Sequence, residues 1–312
     1  MLSRVAERIY WIARYLQRVE SAARVVNAYT TLLMDLPKEI NISWFNLVTL
    51  NSGENEYDTR YKARNERNVV KFTLADNTNP NAMLVSLEHI RENLRTTRDV
   101  MPENAWELIN GLSSFANNSI NNGALNRGKR QEFLNEIINQ CQMIQGYIST
   151  TMLHDVVWDM WSLGRDLECA DMTTRILQAG VSVLQDSNEA NSVQTSLIVW
   201  GNVLRSSSAD FAYRRSVAAM VKGRKVAKFL LCDESYPRSV KFCLTEIKRS
   251  ICHLPKQKKI MEGCQALDEL LDASFLKEQL DHEFLNYLST LQLHLANLHR
   301  FFSEAWFSLD NH

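Results

Sequence analysis

Residues 9–26 read Ile9-Tyr10-Trp11-Ile12-Ala13-Arg14-Tyr15-Leu16-Gln17-Arg18-Val19-Glu20-Ser21-Ala22-Ala23-Arg24-Val25-Val26. Ile9, Ile12, Leu16, Val19, Ala23 and Val26 recur in alternating three- and four-residue steps, continued upstream by Val5 and Leu2. That spacing gathers them on one stripe of a 3.6-residue helix. Strong helix formers fill the gaps and the first proline is Pro37, which predicts one helix running to about Leu33.

The same stretch returns later in the chain. Arg14-x-Leu16-x3-Glu20-x3-Arg24 matches Arg165-x-Leu167-x3-Asp171-x3-Arg175 at an offset of 151 residues. Trp44-x-Asn46 matches Trp200-x-Asn202 at 156. Val69-x-Lys71-Phe72-x-Leu74-x-Asp76-x3-Pro80 matches Val226-x-Lys228-Phe229-x-Leu231-x-Asp233-x3-Pro237 at 157. Beyond those prolines Met83, Leu87 and Ile90 keep step with Val240, Leu244 and Ile247. Ordered matches at nearly half the chain length predict a tandem duplication, and the period is far longer than that of a solenoid repeat. The expected architecture is an all-α helical bundle of two pseudo-twofold-related halves, 1–150 and 151–312, sharing one core.

Local chemistry fills in the remainder. Pro80 and Pro237 are expected at the first helical position, where a missing N–H costs nothing. Asp76 and Asp233 are expected to accept backbone N–H groups in the preceding loops. Val69–Leu74 and Val226–Leu231 are short enough to be strands, but their company favours helix. Polar, Asn- and Gly-bearing residues 50–66 and 118–130 read as loops, as do 185–193 before a helix over Val193–Arg205.

Composition bounds the function. Hydrophobic residues at 45% and charged residues at 23% allow a sizeable core, and ten glycines with five prolines in 312 residues favour long helices. A formal net charge of −1 gives no general attraction to nucleic acid or anionic membrane, and the basic runs Lys222–Lys228 and Lys256–Lys259 read as solvated. No apolar run approaches the roughly 20 residues of a membrane span. The start, Met1-Leu2-Ser3-Arg4, lacks the apolar region of a secretory signal, and six cysteines without a CxxC pair read as free thiols, so a cytoplasmic location is expected.

Phosphate-loop, GxGxxG, HExxH and Glu-x2-His patterns are absent, so no cofactor and no metal are expected. Glu278 and His282 read as a surface pair, and His294 and His299 as packed or capping residues. What remains is charge on apolar stripes. Glu20 and Arg24 lie on or beside the stripe of Leu16, and Asp171 and Arg175 stand in the same relation to Leu167. Acid one turn before arginine is the favourable orientation, worth a few tenths of a kcal/mol when exposed. On a core-facing stripe each ion costs several kcal/mol to bury, and the charges become either a packing layer or the lining of a cavity. Asp210 with Arg214, beside Tyr213 and Arg215, and the face Arg91-Glu92-x2-Arg95-x2-Arg98 are further candidates.

A wider set of residues carries a resemblance. It comprises Arg4-x-Ala6-Glu7-Arg8-Ile9-Tyr10-Trp11, Arg14-Tyr15-Leu16, Arg18-x-Glu20-x3-Arg24, Arg91-Glu92-Asn93 with Arg95, and Leu163-Gly164-Arg165-x-Leu167-Glu168-x-Ala170-Asp171-Met172-Thr173. Leu204-Arg205, Tyr213-Arg214-Arg215, Phe229-Leu230-Leu231 and Pro237-Arg238-Ser239-Val240 complete it. Over nearly its whole length the chain resembles the bacterial alpha-E domain family. It departs at Gln17, where that family usually shows glutamate, at Cys169, where it shows arginine, and at Ala13, where glycine is common. The resemblance implies an all-helical protein that accompanies a circularly permuted ATP-grasp protein and transglutaminase-like or peptidase-like proteins in peptide synthesis or modification. The expected function is therefore a helical partner of an ATP-grasp amide ligase, binding an anionic amino-acid or peptide substrate in a charged cavity between the halves. Arg14, Arg24, Arg165 and Arg175 would hold the anion, and Glu7, Glu20, Glu168 and Asp171 would orient them or an amine. Glu92, Arg95, Tyr213, Arg214 and Arg238 complete the candidate substrate-binding set. The alternatives are an enzyme of that pathway using carboxylate acid–base chemistry, and a scaffold whose charges are a packing layer.

Overall fold

In the computed structural model, which describes residues 3–35, 43–186, 193–218, 220–271 and 280–308, every regular element is helical. The first expected helix forms as α1 (Ser3–Asp35), with Ile9, Ile12, Leu16, Val19, Ala23 and Val26 all buried. It is followed by α2 (Asn46–Leu50), α3 (Glu54–Arg60), α4 (Glu66–Ala75), α5 (Met83–Arg95), α6 (Ala105–Asn121) and α7 (Arg127–Thr151). Then come α8 (Val156–Asp186), α9 (Val193–Ser206), α10 (Asp210–Val217), α11 (Gly223–Cys232), α12 (Val240–Ile251), α13 (Lys258–Leu270) and α14 (His282–Phe302), which ends in one π-turn over Ser303–Phe307. No strand occurs among the described residues, and no helix among them is long and apolar enough to cross a membrane.

Two central helices organise the rest. At 33 and 31 residues, α1 and α8 are each nearly 50 Å long, at about 1.5 Å per residue, and they pack on one another. Contacts then repeat in order. Helix α5 packs on α1 as α12 packs on α8, and α7 packs on α1 as α14 packs on α8. Helix α6 lies between α5 and α7 as α13 lies between α12 and α14. The short elements cross over: α2 packs on α8, and α9 on both α1 and α8. One continuous cluster of buried apolar side chains runs through all of this.

The crossing of the central pair is fixed by small residues. A Cβ added at Gly164 would sit 2.2 Å from the Tyr10 carbonyl oxygen and 3.2 Å from the Ala13 Cβ. Ala13 and Gly164 occupy matching positions at the 151-residue offset, so the two helices cross at equivalent points.

Three local expectations change. Pro80 and Pro237 do not open helices, since α5 starts at Met83 and α12 at Val240. The prolines instead sit in turns gathered by acids. Asp76 accepts the Thr78 N–H at 3.0 Å, and Asp233 accepts those of Ser235 and Tyr236 at 2.9 and 2.8 Å. The cap of α12 is Ser239, whose Oγ accepts the Phe242 N–H at 3.0 Å. Residues 50–66 are not all loop, because α3 forms there with Glu54 and Glu56 in its first turn and Tyr57 buried against Phe45 and Phe72. The loop expected over 118–130 shrinks to 122–126, between α6 and α7. Of the loop expected over 185–193, residues 187–192 lie outside the described residues, as does Glu278.

Candidate functional site

The charges on the central stripes resolve into three clusters, two around buried glutamates and a third that is half-buried. The first joins the two central helices. Glu168 of α8, 2% exposed, receives Arg14 Nε at 2.8 Å and Nη2 at 2.7 Å on Oε2. Arg18 Nε donates to Oε1 at 2.7 Å and its Nη2 to Oε2 at 3.2 Å. Arg18 Nη1 also reaches Asn81 Oδ1 at 3.2 Å. Burial alone would push the Glu168 carboxyl up, but the charges and hydrogen bonds of Arg18 and Arg14 overcome it and hold the group at about 2. Arg14 Nη1 donates to the Tyr10 hydroxyl at 3.3 Å, and that hydroxyl is hydrogen-bonded to His299 Nδ1 at 2.9 Å. Burial, aided by Arg14, lowers His299 to about 4.

In the second cluster, fully buried Glu20 accepts Arg24 Nε at 2.9 Å, Arg24 Nη2 at 2.6 Å and Arg238 Nη2 at 2.6 Å, all on Oε1. Its Oε2 accepts Gln145 Nε2 at 3.0 Å. Arg24 Nη1 goes on to Ser208 Oγ. The third cluster is Asp171 with Arg175 Nε at 2.8 Å, where Arg175 Nη1 reaches the Leu50 carbonyl and Ser52 Oγ, both at 3.2 Å.

The last contacts of the second and third clusters match. Ser52 and Ser208 stand 156 residues apart, and both adopt left-handed φ, 53° and 54°. Each follows a helix end of the same build. The Gly53 N–H returns to Val48 and that of Ser52 to Thr49; the Ala209 N–H returns to Leu204 and that of Ser208 to Arg205. This double return is the Schellman termination. Each arginine thus ties its central helix to the end of a helix that follows the other central helix in the chain.

Among the described residues no ion pair joins Glu20–Arg24 to Asp171–Arg175: Glu20 is held by Arg24, Arg238 and Gln145, and Asp171 by Arg175. The bridge across α1 and α8 is made instead by Arg14 and Arg18 on Glu168.

Beside the second cluster lies a cavity of about 310 Å³ at the junction of α1, α7, α8 and α12. It is lined by Gln17, Gln145, Arg165, Asp166, Cys169, Pro237, Arg238, Phe242 and Glu246. Arg165 is turned onto its neighbour Asp166, at 2.8 and 3.0 Å. Burial raises the Asp166 carboxyl, and Arg165 only partly opposes this. Gln17 accepts Gln145 Nε2 at 3.4 Å and donates to Ser21 Oγ at 3.1 Å. The Cys243 thiol donates to the Pro237 carbonyl at 3.6 Å. All six cysteines are free.

The expected residues therefore divide. Arg165 and Arg238 line the cavity, with Glu20 and Arg24 directly behind Arg238. Arg14 and Glu168 are locked in the bridge, and Asp171 with Arg175 forms its own cluster. Glu7 is half-buried and makes no ion pair among the described residues. Glu92 and Arg95 pair with each other on the surface at 2.7 Å. Tyr213 is buried edge-on against Phe229, and the exposed Arg214 donates to the Asp210 carbonyl at 3.3 Å rather than to its carboxylate. Arg18, Asn81, Gln145, Asp166 and Glu246 were not among the expected site residues. Arg18 and Asp166 adjoin motif residues and carry charge on a central helix, which is the signal available for them. Gln145 and Glu246 stand on separate helices with no motif to mark them.

Residues 1–307 match the family Alpha-E, described as a predicted alpha-helical domain with a conserved ER motif. The chain belongs to that family. It is 20% identical over 293 residues to an uncharacterized protein of Mycobacterium bovis and, equally, to one of Mycobacterium tuberculosis. These matches cover 86% of this chain but 31% of each relative, so the chain spans about a third of their length. No solved structure matches it.

Proposed function

We propose that this chain is the helical, substrate-binding partner of an ATP-grasp amide ligase in peptide synthesis or modification, and that the cavity beside Arg165 and Arg238 receives an anionic amino acid or peptide. The observation that carries this reading is the cavity of about 310 Å³ between the central helices, with two arginines and two acids on its wall. Its volume fits a small polar ligand, and converging arginines are suited to carboxylates. The partner and the pathway rest on the family resemblance, and a transglutaminase-like protein is a second candidate partner. By contrast, the open groove of about 800 Å³ along α6 and α7 is lined by Lys129, Glu132, Glu136 and a majority of uncharged residues, with no arginine.

The test is titration calorimetry of free dipeptides into wild type, Arg165→Met and Arg238→Met, each checked for folding by thermal melting. Folded variants that lose binding support the reading, and unchanged binding removes the cavity from it. Amide formation by a candidate ATP-grasp partner, with and without this chain, then tests the partnership.

One observation favours a second reading, in which the chain is itself an enzyme. Asp166 is a buried carboxyl with a raised pKa in that cavity, as general acid–base work requires. Product formed by this chain alone, and abolished by Asp166→Asn, would support it.

A further inference from the structure

The two halves place the same positions on either side of the α1–α8 crossing, but fill them differently. At the 151-residue offset Gln17 corresponds to Glu168, Arg165 to Arg14 and Cys169 to Arg18; at 157, Arg238 corresponds to Asn81. On one side the carboxylate of Glu168 takes up Arg14 and Arg18, and its own charge closes the pairing. On the other side the corresponding position is the uncharged amide of Gln17, and a cavity stands there. Arg165, the counterpart of Arg14, has no carboxylate from α1 to meet and turns back to Asp166 on its own helix.

Asp166 is a weak holder of that arginine. It is almost fully buried, which disfavours its charge, whereas Glu168 is held ionised by two arginines at once. An incoming carboxylate between Arg165 and Arg238 would accept the forked geometry that Glu168 accepts opposite. The acids Asp166 and Glu246 on the same wall balance the two arginines, which suits a ligand carrying a cationic group beside its carboxylate better than a bare polyanion.

We infer that the cavity is a carboxylate seat in which the ligand's own carboxylate occupies, against Arg165 and Arg238, the place that Glu168 occupies in the other half. The inference rests on the cavity being the ligand site and specifies its ligand as a free carboxylate terminus of an amino acid or peptide. Gln17 is then the residue that keeps the seat vacant. A glutamate there would fill it from within, as Glu168 does on its own side.

The decisive comparison uses the full wild-type chain and calorimetry with dipeptides ending in alanine, glutamate or phenylalanine, each against its C-terminal amide. The acid is expected to bind and the amide to bind roughly tenfold more weakly or worse, the effect of one charge-assisted hydrogen-bonded pair. Gln17→Glu is expected to abolish acid binding while raising the melting temperature. Equal binding of acid and amide overturns the carboxylate seat while leaving peptide binding in the cavity intact. Binding of the acid to a folded Gln17→Glu chain with unchanged affinity overturns it as well. If no dipeptide binds the wild type, the proposed function falls and this inference with it.

Discussion

The closed side and the open side of the α1–α8 crossing are built from matching helices, yet one holds a buried ion cluster and the other a cavity. The closed side sets a single carboxylate, Glu168, against Arg14 and Arg18, and every charge has a partner across the crossing. The open side has Gln17 and Cys169 at the matching positions, so Arg165 is left to Asp166 and Arg238 to Glu20. Two uncharged side chains separate a packing layer from a polar hollow on a common scaffold. Buried charge therefore has to be assigned side by side: it joins the helices at Glu168, and beside Gln17 it lines a cavity.

The comparison breaks most readily at its closed side. Glu168→Gln keeps the shape but leaves two partly buried arginines without their carboxylate; an orphaned buried charge costs about 3–5 kcal/mol, which sets the upper bound. Urea unfolding should show that loss, and a neutral result would mean that the cluster does not hold the crossing. Acid should act through the same group. Glu168 is held at about 2 against an ordinary 4.5, so its contribution is complete above about pH 4.5 and is lost as pH falls toward 2. Over that window the lowered pKa corresponds to about 3 kcal/mol. His299, lowered to about 4 from 6.5, binds its proton more readily unfolded, so it too withdraws stability as pH falls from 6.5 toward 4. Equilibrium unfolding followed against pH should show the His299 slope first, and Glu168→Gln should remove the one below it.

The crossing itself comes next. In an exposed helix Gly→Ala would add up to about 1 kcal/mol of stability. At Gly164 the added Cβ meets main chain of α1, so Gly164→Ala is expected to cost about 1–3 kcal/mol instead. A stabilised Gly164→Ala chain would show that the helices can part there without loss. The smallest expected effect sharpens the comparison by trying to make the sides alike. Gln17→Glu with Cys169→Arg rebuilds on the open side the ions of the closed one. A double-mutant cycle should give favourable coupling of about 0.5–3 kcal/mol. No coupling would mean that positions 17 and 169 do not meet as Glu168 and Arg18 do.

Much of the fold was legible in the sequence because its signal is local. The stripe from Ile9 to Val26 requires only a helical period, and the scarcity of breakers permits two helices of more than thirty residues. Asp76 and Asp233 were legible as loop acceptors because they act within three residues. Pro80 and Pro237 misled because the acid-gathered turn, not the proline, sets where the next helix begins. Helix α3 was hidden in a polar stretch, since it is held by one buried ring, Tyr57, rather than by a stripe.

The candidate site was legible only as a list of charges. Sequence placed Glu20, Arg24, Asp171 and Arg175 on core-facing stripes, because helical phase alone decides that. Which charge meets which across the crossing depends on the register of α1 against α8, set where Ala13 passes Gly164, more than a hundred residues apart in the chain. That register gives Glu168 to Arg14 and Arg18, gives Ser208 to α1 and Ser52 to α8, and leaves the hollow beside Gln17. The sequence by itself determined the helices and the charges they carry, since both follow from spacing along one chain. Only the tertiary structure decided which of those charges are spent on packing and which face a cavity, because burial and pairing are properties of two helices brought together.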